Sequence, residues 1–374
     1  MLIIFGLLCS ANRLNKMEVF SQDALVQELL GLSGSIDAET ISNRIKRNNL
    51  GTNSILIDII GKLSNKIHSK ISNTNDILDL DSTVRTVYGH QEGSCKGFNS
   101  HKRGAKSYHP LLGFLQSTKE CLCSWFRSGD AYTSNNCVAF LEQTFRHISS
   151  GIRELLVRAD SGFFDGKILT SIESRANTDY IIKVKMKGLR ELLSNQNWVK
   201  VAGNKDYEET EFEYKASSWE KSRKMVAIRK VRKVVHVGVL FPIVEYDYSC
   251  FVTNKELSGM EIYQIYKQRG ECENYIEATK NQLFAGCVMT KGFDANETFW
   301  LLSILAYNIS VWMRKLTDHK SWQEEPATFR TWFIQVAGKV VRSGRQVFLK
   351  MYSAYYYKQR WKNIENNIIN LEFT

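Results

Sequence analysis

The chain is predicted to be a mixed α/β protein whose sheet is interrupted by an antiparallel β segment and flanked by helices at both ends. Three observations predict this. Between residues 76 and 186, three strand patterns in succession give way to alternating helix and strand patterns. From 187 to 255, short alternating runs are separated by polar turns, the mark of antiparallel strands. Residues 1–75, 256–318 and 319–374 carry apolar residues at mainly helical spacing.

In chain order, the apolar run Met1–Ala11 has no Lys or Arg ahead of it and is too short to cross a bilayer, so a core helix is expected rather than a signal peptide. Asp23 opens an amphipathic stretch that Gly31 closes, and Asp37 caps Ala38–Arg47. With Arg44, Lys46 and Arg47 on the second, this pair reads either as two packing helices or as a helix-turn-helix. A longer helix is expected from Ser54 to Ser72. Ile77–Thr83 is a buried strand with Asp79 and Asp81 on one face, because side chains alternate along a strand. Tyr108–Leu115 and Glu120–Phe126 are the next two strands. A helix over 135–149 leads to Glu154–Gly162, a strand that delivers Asp160 to its carboxyl end beside a Gly turn. Helix Asp165–Arg175 and strand Asp179–Lys185 complete the unit.

In the β segment, strands are expected at Trp198–Ala202, Glu209–Tyr214, Met225–Arg229, Val234–Phe241 and Tyr246–Val252. Lys221, Arg223, Lys224, Arg229, Lys230, Arg232 and Lys233 have no acid among them, and read either as a solvated edge strand or as phosphate contacts. One helix, Tyr266–Lys280, returns the chain to the core, and the apolar helix Glu297–Trp312 packs on the sheet. A loop (His319–Pro326), a helix (Thr328–Ala337), a hairpin turning at Ser343-Gly344 and a basic, aromatic helix (Tyr352–Leu371) end the chain.

A net charge of +11 over 374 residues favours a polyanionic partner, nucleic acid or an acidic membrane surface. No segment reaches bilayer-spanning length, so no membrane partner is expected and the protein should be cytoplasmic. The eight cysteines form no CxxC pair and fit reduced thiols. Cys95, His101 and His109 match no zinc-ligand spacing.

The chemistry-bearing stretch is Tyr266–Lys280. At about 100° per residue, Tyr266, Arg269, Glu273 and Lys280 fall within a stripe roughly 60° wide. Such a stripe is a solvated helix face unless other parts of the chain supply partners for the carboxylate. Asp81 and Asp160, both at strand ends, are candidates. Two Asp and one Glu make an all-oxygen ligand set that suits Mg²⁺ or Mn²⁺. Two such ions can drive an in-line phosphoryl displacement. Asp79 is the rival for the first position, and Glu277 lies near the same helical face as Glu273.

These residues carry a family resemblance. Tyr266-(2)-Arg269-(3)-Glu273-(6)-Lys280 resembles the signature of DDE transposases of bacterial insertion sequences, families four and thirteen-eighty. Asp81-Ser-Thr83 and Arg158-Ala-Asp160-Ser-Gly-Phe163 are similar to their two Asp motifs. Gly89-His-Gln-Glu92, Gly97-Phe-Asn99, His109-Pro-Leu111 and Ala306–Trp312 resemble the thirteen-eighty branch. The resemblance implies a ribonuclease H-like mixed-sheet core with a β insertion between the second Asp and the Glu. It implies DNA cleavage at element ends and strand transfer by a homodimer on paired ends, with two Mg²⁺ or Mn²⁺ ions per site. Carried over, Asp81, Asp160 and Glu273 are the catalytic metal ligands, and Tyr266, Arg269 and Lys280 contact double-stranded DNA. Relatives have a longer amino-terminal region, so an alternative is a catalytically idle, truncated remnant that only binds DNA or dimerises.

Overall fold

The computed structural model describes residues 1–71, 73–99, 102–235, 243–318, 321–344 and 346–371. Five helices precede the first strand: α1 (Leu2–Leu8), α2 (Leu14–Ser21), α3 (Ala24–Leu30), α4 (Ala38–Lys46) and α5 (Leu50–His68). Asp23, Asp37 and Asn49 cap α3, α4 and α5 by accepting from first-turn amides, and Gly31 ends α3 at φ 62°. Helix α4 packs mainly against α2 and a later helix rather than against α3.

The core follows as β1 (Asn75–Ser82), β2 (Arg85–Thr86), β3 (Cys95–Lys96), β4 (Lys106–Tyr108), β5 (Leu111–Leu115), β6 (Cys121–Trp125), α6 (Cys137–His147), β7 (Glu154–Ala159), α7 (Gly166–Glu173) and β8 (Thr178–Lys183). Strands β2, β4 and β3 form a small separate sheet. In the main sheet β1 pairs antiparallel with β5 and β5 with β6, while β7 runs parallel to both β1 and β8. The resulting order β6-β5-β1-β7-β8 is that of a ribonuclease H-like core.

Then come α8 (Leu189–Ser194), β9 (Val199–Lys200), β10 (Tyr207–Tyr214), β11 (Arg223–Val235) and β12 (Ile243–Thr253). These insertion strands do not form a sheet of their own. Strand β12 pairs with β8, Thr253 opposite Ile181, so nine strands make one continuous sheet among the described residues. The two strands expected over Met225–Arg229 and Val234–Phe241 are one strand as far as Val235, and residues 236–241 lie outside the described residues.

The basic run is also not an edge. Strand β11 lies between β12 and β10, and its cations meet acids across the strands. Arg229 pairs with Glu208 at 2.5 Å and Lys224 with Glu211 at 3.0 Å. Arg223 grips Glu173 of α7 at 2.7 Å. Arg223, Lys224 and Arg229 are thus paired with acids, while Lys221 and Arg232 remain largely exposed.

The return helix is broken in two. Helix α9 (Gly259–Lys267) carries a capping box between Ser258 and Glu261, and α10 (Gly270–Glu277) continues into a π-helical turn, Ala278–Gln282. Helix α11 (Phe293–Thr317) covers the sheet and buries Phe299, Trp300, Ile304 and Val311. Its Asn308 side chain donates to the Cys121 carbonyl and accepts from the Cys121 amide, at 2.8 and 2.9 Å, closing the open edge of β6. Among the described residues no helix is long and apolar enough to cross a membrane.

The chain ends with α12 (Pro326–Phe329), a second π turn (Arg330–Ile334), a hairpin of β13 (Gly338–Ser343) and β14 (Gln346–Met351), and α13 (Lys358–Ile369). Tyr357 and Trp361 pack there around Phe329, Phe333 and Ile364, while Tyr356 is exposed.

Candidate active site

Strands β1 and β7 lie parallel with Leu80 opposite Ala159, so the next residue of each, Asp81 and Asp160, stand side by side at the carboxyl end of the sheet. Each carboxylate is oriented by its own turn. Asp81 Oδ1 accepts from Ser82 N at 2.8 Å, and Asp160 Oδ1 from Gly162 N at 2.9 Å, capping the short 3-10 turn Ser161–Phe163. Thr133 bridges the two, with its hydroxyl 3.2 Å from Ser82 Oγ and its side chain against Gly162.

Burial pushes the Asp81 carboxyl up to about 6; the nearby charge of Asp160 pushes the same way and the Arg269 guanidinium opposes both. Arg269 lies between α9 and α10 and is buried. Its Nη2 donates to the Leu80 carbonyl at 2.9 Å and sits 3.1 Å from Asp81 Oδ2. Burial works against the guanidinium, but Asp81 and its neighbours outweigh burial and hold it above its ordinary value. Arg269 Nε is buried without a hydrogen-bond partner.

Tyr266 is packed on Phe251, ring centroids 4.7 Å apart, and burial pushes its hydroxyl up to about 12. Lys280, in the π turn, donates to Thr83 Oγ1 and the Val84 carbonyl, each at 3.1 Å, and burial lowers it. It therefore pins the loop that follows Asp81.

Asp79 is not part of this site. Both its carboxylate oxygens are held by Arg158 at 2.7 Å, in a pair closed to solvent. His109, raised among possible zinc ligands, has Nδ1 2.6 Å from the Ala131 carbonyl; His101 lies outside the described residues.

Residues 1–373 match the family described as transposase DDE domain group 1. The chain belongs to that family. A solved structure titled as a cryo-EM structure of the piggyBac transposase synaptic complex with hairpin DNA is similar over 88% of this chain and 67% of that one, at 11% identity and a TM-score of 0.48. No curated protein matches the chain in sequence.

The third acid expected from the sequence is Glu273. Glu273 lies on α10, exposed, one residue after the buried Cys272. Among the described residues no three acids stand together as a metal-holding group. The structure thus brings together Asp81, Asp160, Arg269 and Tyr266, with Lys280 behind them, and leaves Glu273 open at the margin. The stripe of the single-helix reading does not survive intact. The π turn at Ala278–Gln282 changes the phase between Glu273 and Lys280, and Lys280 reaches the loop after Asp81 while the Glu273 side chain is exposed.

The donor set fits a hard divalent cation. Two buried or half-buried carboxylates repel one another, Asp160 Oδ2 has no hydrogen-bond partner among the described residues, and all the donors are oxygens.

Sequence reasoning missed Thr133, the bridge between the Asp turns, and Arg127, whose Nη1 donates to the carbonyls of Tyr132 and Asn135 at 3.0 and 2.9 Å and holds that loop in place. Neither carried a periodic or motif signal.

Proposed function

We propose that this chain is a transposase of a bacterial insertion sequence, cutting DNA at the element's ends and joining them to target DNA by phosphoryl transfer. The observation that carries this is the side-by-side placement of Asp81 and Asp160 at adjoining parallel strand ends in a chain of the DDE family. Asp81, Asp160 and Glu273 would hold two Mg²⁺ or Mn²⁺ ions, which would supply polarisation of a water or 3′-hydroxyl and neutralisation of negative charge on the phosphate oxygens.

The protein's own contribution is positional. Asp81 and Asp160 are aimed by their backbone turns, and Arg269 balances Asp81 until a cation is bound. Glu273 would complete the set through its exposed side chain, which is free to reorient on α10. Arg269, through its unpartnered Nε, together with Tyr266 and Lys280, would hold the phosphate backbone of double-stranded DNA next to the acids. Assembly as a homodimer on paired ends belongs to the same proposal.

A second reading, a DNA-binding or dimerising protein without catalysis, draws on the separation of Glu273 from the Asp pair. Replacing Glu273 with Gln distinguishes the two. Cleavage of end-containing DNA in Mg²⁺ is expected to fall by about 10²–10³-fold or more, with DNA binding retained. Equal cleavage by variant and wild type removes Glu273 from the mechanism, and no cleavage by either favours the second reading.

A further inference from the structure

Three of the most exposed aromatic rings among the described residues sit on loops linked to the candidate active site. Tyr88 is 77% exposed, Phe98 73% and Tyr132 74%. Each sits on a different loop, and each loop is anchored near the acids. Tyr132 directly precedes Thr133, which touches both Ser82 and Gly162. Phe98 follows Gly97, whose backbone is pressed so closely on the Gly129 carbonyl that a Cβ would lie 1.8 Å from it. Tyr88 follows β2, which begins three residues after Ser82, and Asn99 Nδ2 donates to Thr86 Oγ1 at 2.9 Å, tying the Phe98 loop to that strand. Ser128 Oγ further donates to the Gly93 carbonyl at 2.8 Å. The three rings are carried on loops locked to one another rather than on free ends.

The surroundings are basic. Residues 85–108 hold five cations, Arg85, Lys96, Lys102, Arg103 and Lys106, against one acid, Glu92. Glu92 accepts from Phe293 N at the start of α11, and Arg85 is buried, donating to the Ala285 carbonyl. Lys96, Lys102 and Arg103 are exposed, and Lys102 Nζ stands 4.7 Å above the Tyr88 ring. Asp130 is the exposed acid on the third loop. Lysine is depleted from the cores of protein–protein interfaces, whereas exposed rings among cations are the composition of single-strand nucleic-acid surfaces. A duplex keeps its base faces stacked inside and offers only edges in its grooves. Rings that stand open next to a strand-cutting site therefore match bases that have left the stack.

We propose that Tyr88, Phe98 and Tyr132 form a stacking platform for unpaired nucleotides of a DNA strand next to the Asp81–Asp160 pair, with Lys96, Lys102 and Arg103 on its phosphates. This rests on the DNA reading above and extends it to a strand state, unpaired bases, and to three residues outside the signature.

The test uses the full chain, a blunt duplex of random sequence, and the same duplex with an unpaired adenine tail containing 2-aminopurine. Wild type is expected to bind the tailed DNA about tenfold or more tighter than the blunt one and to quench the 2-aminopurine, as base–aromatic stacking does. Replacing all three rings with Ala should abolish the preference and the quenching while leaving blunt-duplex affinity unchanged, and Tyr132→Trp should retain both. Binding of blunt duplex with no gain from the tail overturns the platform and leaves the transposase reading standing. A preference that survives in the triple variant also overturns it. Failure of wild type to bind either DNA overturns both. Light scattering on the triple variant adds a further arm, since loss of a self-associated species would assign the rings to contact between copies of the chain and overturn the proposal.

Discussion

Arg158 grips Asp79 with two arms of its guanidinium, and its third nitrogen donates to the Ile265 carbonyl of α9 at 2.7 Å. One buried ion pair thus joins β1, β7 and the first half of the return helix, directly below the acids at the strand ends.

Breaking that pair should cost more than breaking anything at the site above it. Asp79→Asn leaves the fully buried Arg158 charge without its counter-charge, and a loss of about 3–5 kcal/mol in urea unfolding is expected. Asp81→Asn should cost far less, because Arg269 keeps its bond to the Leu80 carbonyl. Similar losses for the two variants would show that Asp79 and Asp81 are not separated into structural and functional roles.

The raised Asp81 carboxyl predicts a pH dependence with a definite sign. A carboxyl whose folded value, about 6, lies above its ordinary 3.8 contributes stability that is complete below 3.8 and lost as pH rises through 6. A divalent cation binds the ionised form, so it should restore that stability selectively at higher pH. Addition of Mn²⁺ is expected to raise the thermal midpoint above about pH 6 and progressively less below it. The same increment on both sides of that value would mean that Asp81 is not a ligand.

Arg269→Ala separates two roles for one guanidinium. As a phosphate contact, its loss should weaken DNA binding and lower the slope of log affinity against log salt by about 1. As the counter-charge of Asp81 alone, its loss should leave the slope unchanged while raising the Asp81 carboxyl further, detectable as Mn²⁺ binding that requires a higher pH.

Much of this was legible in the amino-acid order. The strand Ile77–Thr83 and the strand ending at Asp160 announce themselves through apolar runs that stop in acids, and that pattern alone puts Asp81 and Asp160 at one end of the sheet. The strand end and the Thr83 that follows favour Asp81 over Asp79, but the partner that sets Asp79 apart was not legible. Both lie on the same strand face, and the difference is made by Arg158, a residue on another strand that happens to reach one and not the other. The joining of the insertion to the core also carries no local signal, because it depends on Thr253 meeting Ile181 more than seventy positions away. The break after Lys267 and the π turn at Ala278–Gln282 are tertiary compromises that a 100° wheel does not contain. The π turn brings Lys280 onto Thr83.

The unbroken sheet has a metric consequence. From β1, which carries Asp81, to β10 in the insertion is five steps between neighbouring strands, with no gap in the ladder. At roughly 4.8 Å per step that is about 24 Å. Along a duplex rising ~3.4 Å per base pair, the same span is about seven base pairs. If the chain cuts DNA as proposed, a duplex laid across these strands would be gauged by the sheet itself, through strand count rather than through any hinge.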